Sequence, residues 1–218
     1  MPASRHKRST ANPTFREELS LSREGYALVA GLDEVGRGPL AGPVVAGVAI
    51  LPLGLRGRWV RLIRDSKQLT PSQREEALAH LQKHALALEI GVSSTQEIDE
   101  LGIAAATRLA MKRALDSLAL LPQYLLLDAF PLPDVPIPQK AIIRGDSLCR
   151  SIAAASIVAK VARDRMMEQQ DALYPGYGFA RHKGYGTKQH LDSLRKLGPC
   201  PIHRTSFSPI KQMVKARP

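Results

Sequence analysis

Hydrophobic residues along this chain gather in short dense runs separated by polar stretches, and the spacing changes from run to run. Residues 26–32 (YALVAGL) and 43–51 (PVVAGVAIL) are nearly continuous apolar segments of strand length, joined by a Gly- and Pro-rich turn. Residues 86–92, 124–127 and 140–143 repeat that signature. Helical spacing appears elsewhere. Thr70-Pro71 opens a helix running to His84, with Pro in its first turn. Residues 95–118 predict one long helix, with Glu97, Asp99 and Glu100 early and Arg108, Lys112 and Arg113 late, an order that suits the helix dipole. Residues 151–171 predict another long helix, Ala-rich at its start, and residues 187–197 a shorter one.

This order predicts an α/β domain around a mixed sheet, antiparallel at first and then extended by parallel strands through helical crossovers. Residues 1–24 are polar, of mixed charge and without periodicity, and are expected to form a flexible tail. Residues 25–198 are expected to form the main domain. Residues 199–218 form a C-terminal segment packed on it, a small helical extension. Neither an internal repeat nor a low-complexity segment is present.

Composition narrows the class. A hydrophobic fraction of 44% and a charged fraction of 23% over 218 residues are ordinary for a globular protein. No apolar run is long enough to span a bilayer, and the first 20 residues carry no apolar signal core. Cys149 and Cys200 have no metal-ligand or redox spacing. A reduced, cytoplasmic protein, monomeric and without membrane contact, is the expectation. The formal charge of +11 is uneven: residues 140–218 hold 15 Lys and Arg against 5 Asp and Glu, and residues 1–139 hold 16 against 15. That asymmetry points to a polyanionic partner, above all nucleic acid.

The candidate chemistry lies at strand ends. Asp33-Glu34, Asp128 and Asp146 each follow a predicted strand, where open α/β sheets build their sites. Four converging carboxylates repel one another, and divalent cations relieve that repulsion. Oxygen-only ligands suit Mg²⁺ or Mn²⁺, and two such ions can clamp the attacking and leaving oxygens of a phosphodiester.

Beyond spacing, six segments in order resemble the ribonuclease HII family, the type 2 ribonucleases H. They are GLDEVGRGPLAGPVVAGVAIL from Gly31, DSKQLT from Asp65, LLLDAF from Leu125, RGDSLCRSIAAASIVAKVARD from Arg144, YGFARHKGYGT from Tyr177 and HRTSFSP from His203. The resemblance implies an RNase H-like fold with a mixed five-stranded sheet. It implies hydrolysis of the RNA strand of RNA–DNA hybrids and incision 5′ of a single ribonucleotide in duplex DNA, leaving 3′-OH and 5′-phosphate. It assigns metal binding and catalysis to Asp33, Glu34, Asp128 and Asp146, with two Mg²⁺ or Mn²⁺ ions. It assigns substrate reading to Gly36, Arg37 and Gly38 and to Tyr185. A nuclease of the same fold acting on DNA junctions is the alternative; it would not need the Gly-Arg-Gly or Tyr185.

Lys67, Arg181 and Lys183 are candidate phosphate contacts. Asp65 is expected to anchor a turn, Asp164 to form an ion pair on its helix, and residues 153–155 to pack closely on the sheet. His182, His190 and His203 are read as loop or packing residues without cysteine partners. The sequence departs from the family at Arg144 and Gln68, where many members have Lys. The residues before Ala27 are too few for the extra N-terminal domain of the related ribonuclease HIII family.

Overall fold

The computed structural model describes residues 12–215. Five strands form one sheet in the order β3-β2-β1-β4-β5: β1 Val29–Val35, β2 Val44–Ile50, β3 Ala87–Ser93, β4 Tyr124–Asp128 and β5 Gln139–Ile142. β1 pairs antiparallel with β2, and β2 with β3; β4 joins β1 in parallel, and β5 joins β4 in parallel. The expected mixed sheet is therefore present. One connection differs: β4 reaches β5 through the Pro-rich loop 129–138 instead of a helix, with Gln139 bonding the loop carbonyls of Leu132 and Val135.

Strand alternation sorts side chains between the two faces. Leu32, Val44, Ala46, Val48 and Ile50 point to one face and pack on Ala106, Ala110 and Met111 of α4 (Ile103–Asp116). The opposite face is crossed by α5 (Arg150–Leu173). A Cβ on Gly31 would lie 2.2 Å from the Ser151 carbonyl carbon, and one on Gly47 would lie 2.3 Å from the Ala155 oxygen. Glycine on the strands and fully buried Ala153, Ala154 and Ala155 on the helix thus let the two backbones meet. Asp33 shares the Gly31 side of β1, so its carboxylate emerges next to α5.

Two expectations about elements change. The predicted helix over 95–118 is two helices, α3 (Thr95–Leu101) and α4, broken at Gly102, whose φ is 78°. Its early acids do more than complement a dipole. Glu97 closes a capping box with Ser94, and Asp99 accepts hydrogen bonds from the backbone and hydroxyl groups of Thr205 and Ser206.

The tail read over 1–24 also contains structure: α1 (Arg16–Arg23) buries Leu21 and Glu18. The Glu18 carboxylate accepts from the backbone and side chain of Ser151, capping the first turn of α5. An eight-residue helix with one buried leucine leaves little periodicity to read. Residues 1–11 lie outside the described residues.

The remaining helices are α2 (Pro71–His84), opened by a Thr70–Gln73 capping box, then α6 (Phe179–His182), α7 (Lys188–Leu197) and α8 (Ile210–Lys215). Among the described residues no helix is long and apolar enough to cross a membrane.

Candidate active site

Three of the four predicted carboxylates converge. Asp33, Asp128 and Asp146 each present an oxygen within 4.8 Å of the others. They arrive by different routes: Asp33 within β1, Asp128 as the last residue of β4, and Asp146 in the short 3₁₀ turn Gly145–Ser147 after β5. Parallel pairing places the end of β4 beside β1, and an Asp128 oxygen accepts from the Gly145 amide at 2.7 Å, tying the turn that carries Asp146 to the strand end. A Cβ on Gly145 would lie 2.5 Å from the terminal Cδ1 of Ile152, so glycine lets that side chain pack closely against the turn.

Glu34 stands beside this group but not in it. Strand alternation sends its side chain to the opposite face from Asp33, where Oε1 meets the Arg37 guanidinium at 3.3 Å. Its other oxygen is buried and has no hydrogen-bond partner.

The electrostatics fit a cation. Burial, then the charges of Glu34, Asp128 and Asp146, hold the Asp33 carboxyl well above the usual range. Burial, then Asp65 and Asp128, raise Asp146 to about 6. Burial also raises Asp128 and Glu34. Lys67 lies at the cluster, 3.8 Å from Asp146. Burial lowers its pKa, but Asp33, Asp146, Asp65 and Asp128 more than compensate. A buried, all-oxygen, anionic group with an orphaned acceptor beside it fits a hard divalent ion.

The Gly-Arg-Gly segment lies next to the cluster. Gly36 has φ 97°, and a Cβ there would lie 2.3 Å from the Arg163 side chain and 2.6 Å from the Pro43 carbonyl. Gly38 differs: the nearest atom to an added Cβ is Cε1 of Tyr185, at 3.9 Å. Arg37 and Gly38 are exposed, and Tyr185 is 44% exposed. The loop and the tyrosine therefore form one accessible corner.

Two residues that sequence reasoning left without a role hold that corner. Arg204, fully buried, donates to the carbonyls of Gly36, Arg37 and Gly42. Arg163, also fully buried, donates to Pro43, Ala41 and Lys183. Neither is in an ion pair among the described residues. Burial lowers Arg204 to about 9 and Arg163 to about 10. Both lie in quoted family segments, but nothing in a sequence announces an arginine that bonds only carbonyls.

The other expectations resolve individually. Asp65 caps the 3₁₀ turn Ser66–Gln68 through the Lys67 amide, and Asp164 pairs with Arg74 and Lys160. The Lys183 amino group is engaged by Glu168 at 2.7 Å, whereas Arg181 is exposed. His182, His190 and His203 are buried and packed around Phe179, as loop and packing residues would be. They do have a cysteine neighbour: Cys200 Sγ is 3.1 Å from His203 Nδ1, because the turn 200–203 brings positions i and i+3 together.

A family model described as ribonuclease HII matches residues 30–210. The chain belongs to the ribonuclease HII family. The ribonuclease HII of Dehalococcoides mccartyi strain BAV1 is 52% identical over 202 residues, covering 93% of this chain and 95% of that protein. That of Moorella thermoacetica is 49% identical over 207 residues, covering 95% and 99%. Among solved structures, ribonuclease H2 from Pyrococcus horikoshii aligns with a TM-score of 0.70 at 29% identity, covering 86% of this chain and 97% of that one. This ribonuclease HII has the RNase H-like sheet of its relatives.

Proposed function

We propose that this chain hydrolyses the RNA strand of RNA–DNA hybrids and incises 5′ of a single ribonucleotide embedded in duplex DNA, leaving 3′-OH and 5′-phosphate ends. Family membership supports the general activity: as a ribonuclease HII the chain cleaves RNA in RNA–DNA hybrids. The observation that carries the finer reading is the accessible corner of Gly38 and Tyr185 beside the Asp33–Asp128–Asp146 cluster.

In this reading Asp33, Asp128 and Asp146 would hold two divalent ions, Mg²⁺ or Mn²⁺, and Glu34, outside the converging group but with a buried, unpartnered oxygen, would turn towards them to complete the set. Bound there, such ions supply Lewis-acid stabilisation of the phosphodiester and acidify water. Arg37, 3.3 Å from Glu34 at the edge of the site, opposes the burial that raises the Glu34 carboxyl. Lys67, beside Asp146, offers positive charge to the phosphate.

The corner reads the sugar. Arg204 draws the carbonyls of Gly36 and Arg37 inward, so the N–H groups of the loop are what remains to meet a 2′-hydroxyl. The open space over Gly38 admits the ribose, and the Tyr185 ring closes its far side. A nuclease for DNA junctions would need neither feature.

The test compares two duplexes identical except for one ribose, with and without Mg²⁺. Cleavage of only the ribose-containing strand, only with metal, and on its 5′ side supports the reading. Equal cleavage of both duplexes refutes it.

A further inference from the structure

A second charged surface lies along the loop that leads into Lys67. Residues 56–64 carry Arg56, Arg58, Arg61 and Arg64 and no acid. Arg56, Arg58 and Arg61 are exposed and Arg64 half-buried. Among the described residues none of the four guanidiniums is paired with a carboxylate; Arg61 bonds the Arg58 carbonyl, and the buried Nε of Arg64 has no partner. The residues outside the description, 1–11 and 216–218, contain no Asp or Glu and add Arg5, Lys7, Arg8 and Arg217. Glu76 lines the depression between Arg58, Arg61 and Arg64.

This surface is built, not frayed. The Arg150 guanidinium donates to the carbonyls of Val60 and Ile63, fixing the 3₁₀ helix Arg58–Leu62 to the start of α5. Trp59 lies flat against His80 and His84 of α2, with ring centroids 5.0 and 5.1 Å apart. Four like charges gathered on one surface, with Glu76 the acid lining their depression, repel one another, and a bound polyanion relieves that repulsion.

We propose that Arg56, Arg58, Arg61 and Arg64 form a phosphate-binding surface that grips one arm of the nucleic-acid duplex while its scissile bond lies at the carboxylates. The proposal rests on the catalytic reading above. Position selects the partner: Arg64 is three residues from Lys67, so it lies within about 11 Å along the chain of a residue that touches the catalytic cluster. A duplex seated at Asp146 extends over such a neighbour. Guanidiniums suit phosphate because they bond it in a bidentate fashion. Since the contacts are to backbone, the surface adds affinity without sequence preference.

The experiment measures KM and kcat on a ribose-containing duplex from 50 to 300 mM KCl. The proteins are wild type, the double variant Arg58→Gln/Arg61→Gln, and a charge-matched control, Arg108→Gln/Lys112→Gln, on α4 across the sheet. Each lost phosphate contact should lower the slope of log KM against log salt by about 0.9. The loop variant is expected to raise KM roughly tenfold at 150 mM, lower the slope by between one and two, and change kcat less than twofold, while the control stays near wild type. Shortening the duplex arms should erase the difference between loop variant and wild type. An unchanged KM and slope in the loop variant, or an equal change in the control, overturns the proposal; the former would leave the arginines to another acidic partner. Wild-type cleavage in the same series separates failure of this surface from failure of the catalytic reading.

Discussion

Arg204 donates to the carbonyl of Gly36 from a position with no access to solvent and, among the described residues, in no ion pair. A buried cation bonded only to carbonyls is costly unless every N–H is used. Arg204 uses its fork on Gly36, Arg37 and Gly42, and Arg163 uses its own on Ala41, Pro43 and Lys183. The two guanidiniums thereby join the glycine loop to the segment carrying Tyr185.

Arg204→Lys tests that connection. Lysine keeps the charge but cannot span three carbonyls, so at least one is left unpaired, at a cost of about 1–3 kcal/mol. In a chain of this size that lowers Tm by several degrees. Cleavage at a single ribonucleotide should fall at least tenfold, and the fall should persist well below the melting range. Thermal melts and junction cleavage at 25 °C check both parts.

The two glycines of the loop should respond differently. Gly36→Ala meets Arg163 and Pro43 at impossible distances and a left-handed φ, so it should lose on the order of 2–4 kcal/mol, read by denaturant unfolding. Gly38→Ala meets nothing closer than 3.9 Å and should leave stability within about 0.5 kcal/mol. Yet its methyl group fills the space assigned to the ribose, so cleavage at a single ribonucleotide should fall more than tenfold.

The strand ends with their acids were legible because burial and charge leave a pattern in the sequence: apolar runs of strand length leading into Asp33 and Asp128, and one that stops shortly before Asp146. The division of labour between Gly36 and Gly38 was not legible, since both are glycine and only the neighbouring side chains separate them. Sequence reads Asp99 as a dipole-complementing acid and Glu18 as part of a flexible tail, because their partners at Thr205, Ser206 and Ser151 lie over a hundred residues away. The break at Gly102 was hidden by apolar spacing that continues in phase through it.

The buried histidines give the protein an acid limit. One placement of the ring protons joins them in a chain: His190 donates from Nδ1 to the Tyr185 carbonyl and accepts at Nε2 from His203 Nε2, and His203 Nδ1 accepts from the Cys200 amide. Protonating either acceptor breaks this chain. Burial holds both His190 and His203 down at about 4. Unfolded histidine takes up its proton near 6.5, so between about pH 6.5 and 4 the unfolded chain binds more protons, and stability falls as pH falls. With saturating Mg²⁺ keeping the carboxylates ionised, wild type should lose Tm across that window. His203→Asn should start lower and decline less steeply, as followed by melts at half-unit pH steps.

The most direct test of the carboxylate site is calorimetric titration of Mn²⁺ into wild type and Asp33→Asn, with melts in chelator. Without metal, burial and the charges of Glu34, Asp128 and Asp146 disfavour the ionised Asp33 carboxyl, and asparagine removes that strain, so Asp33→Asn should melt a few degrees above wild type without metal. It should also lose most of its Mn²⁺ affinity and at least a thousandfold of its cleavage rate. Wild-type affinity for Mn²⁺ together with near-normal incision in Asp33→Asn would contradict the account.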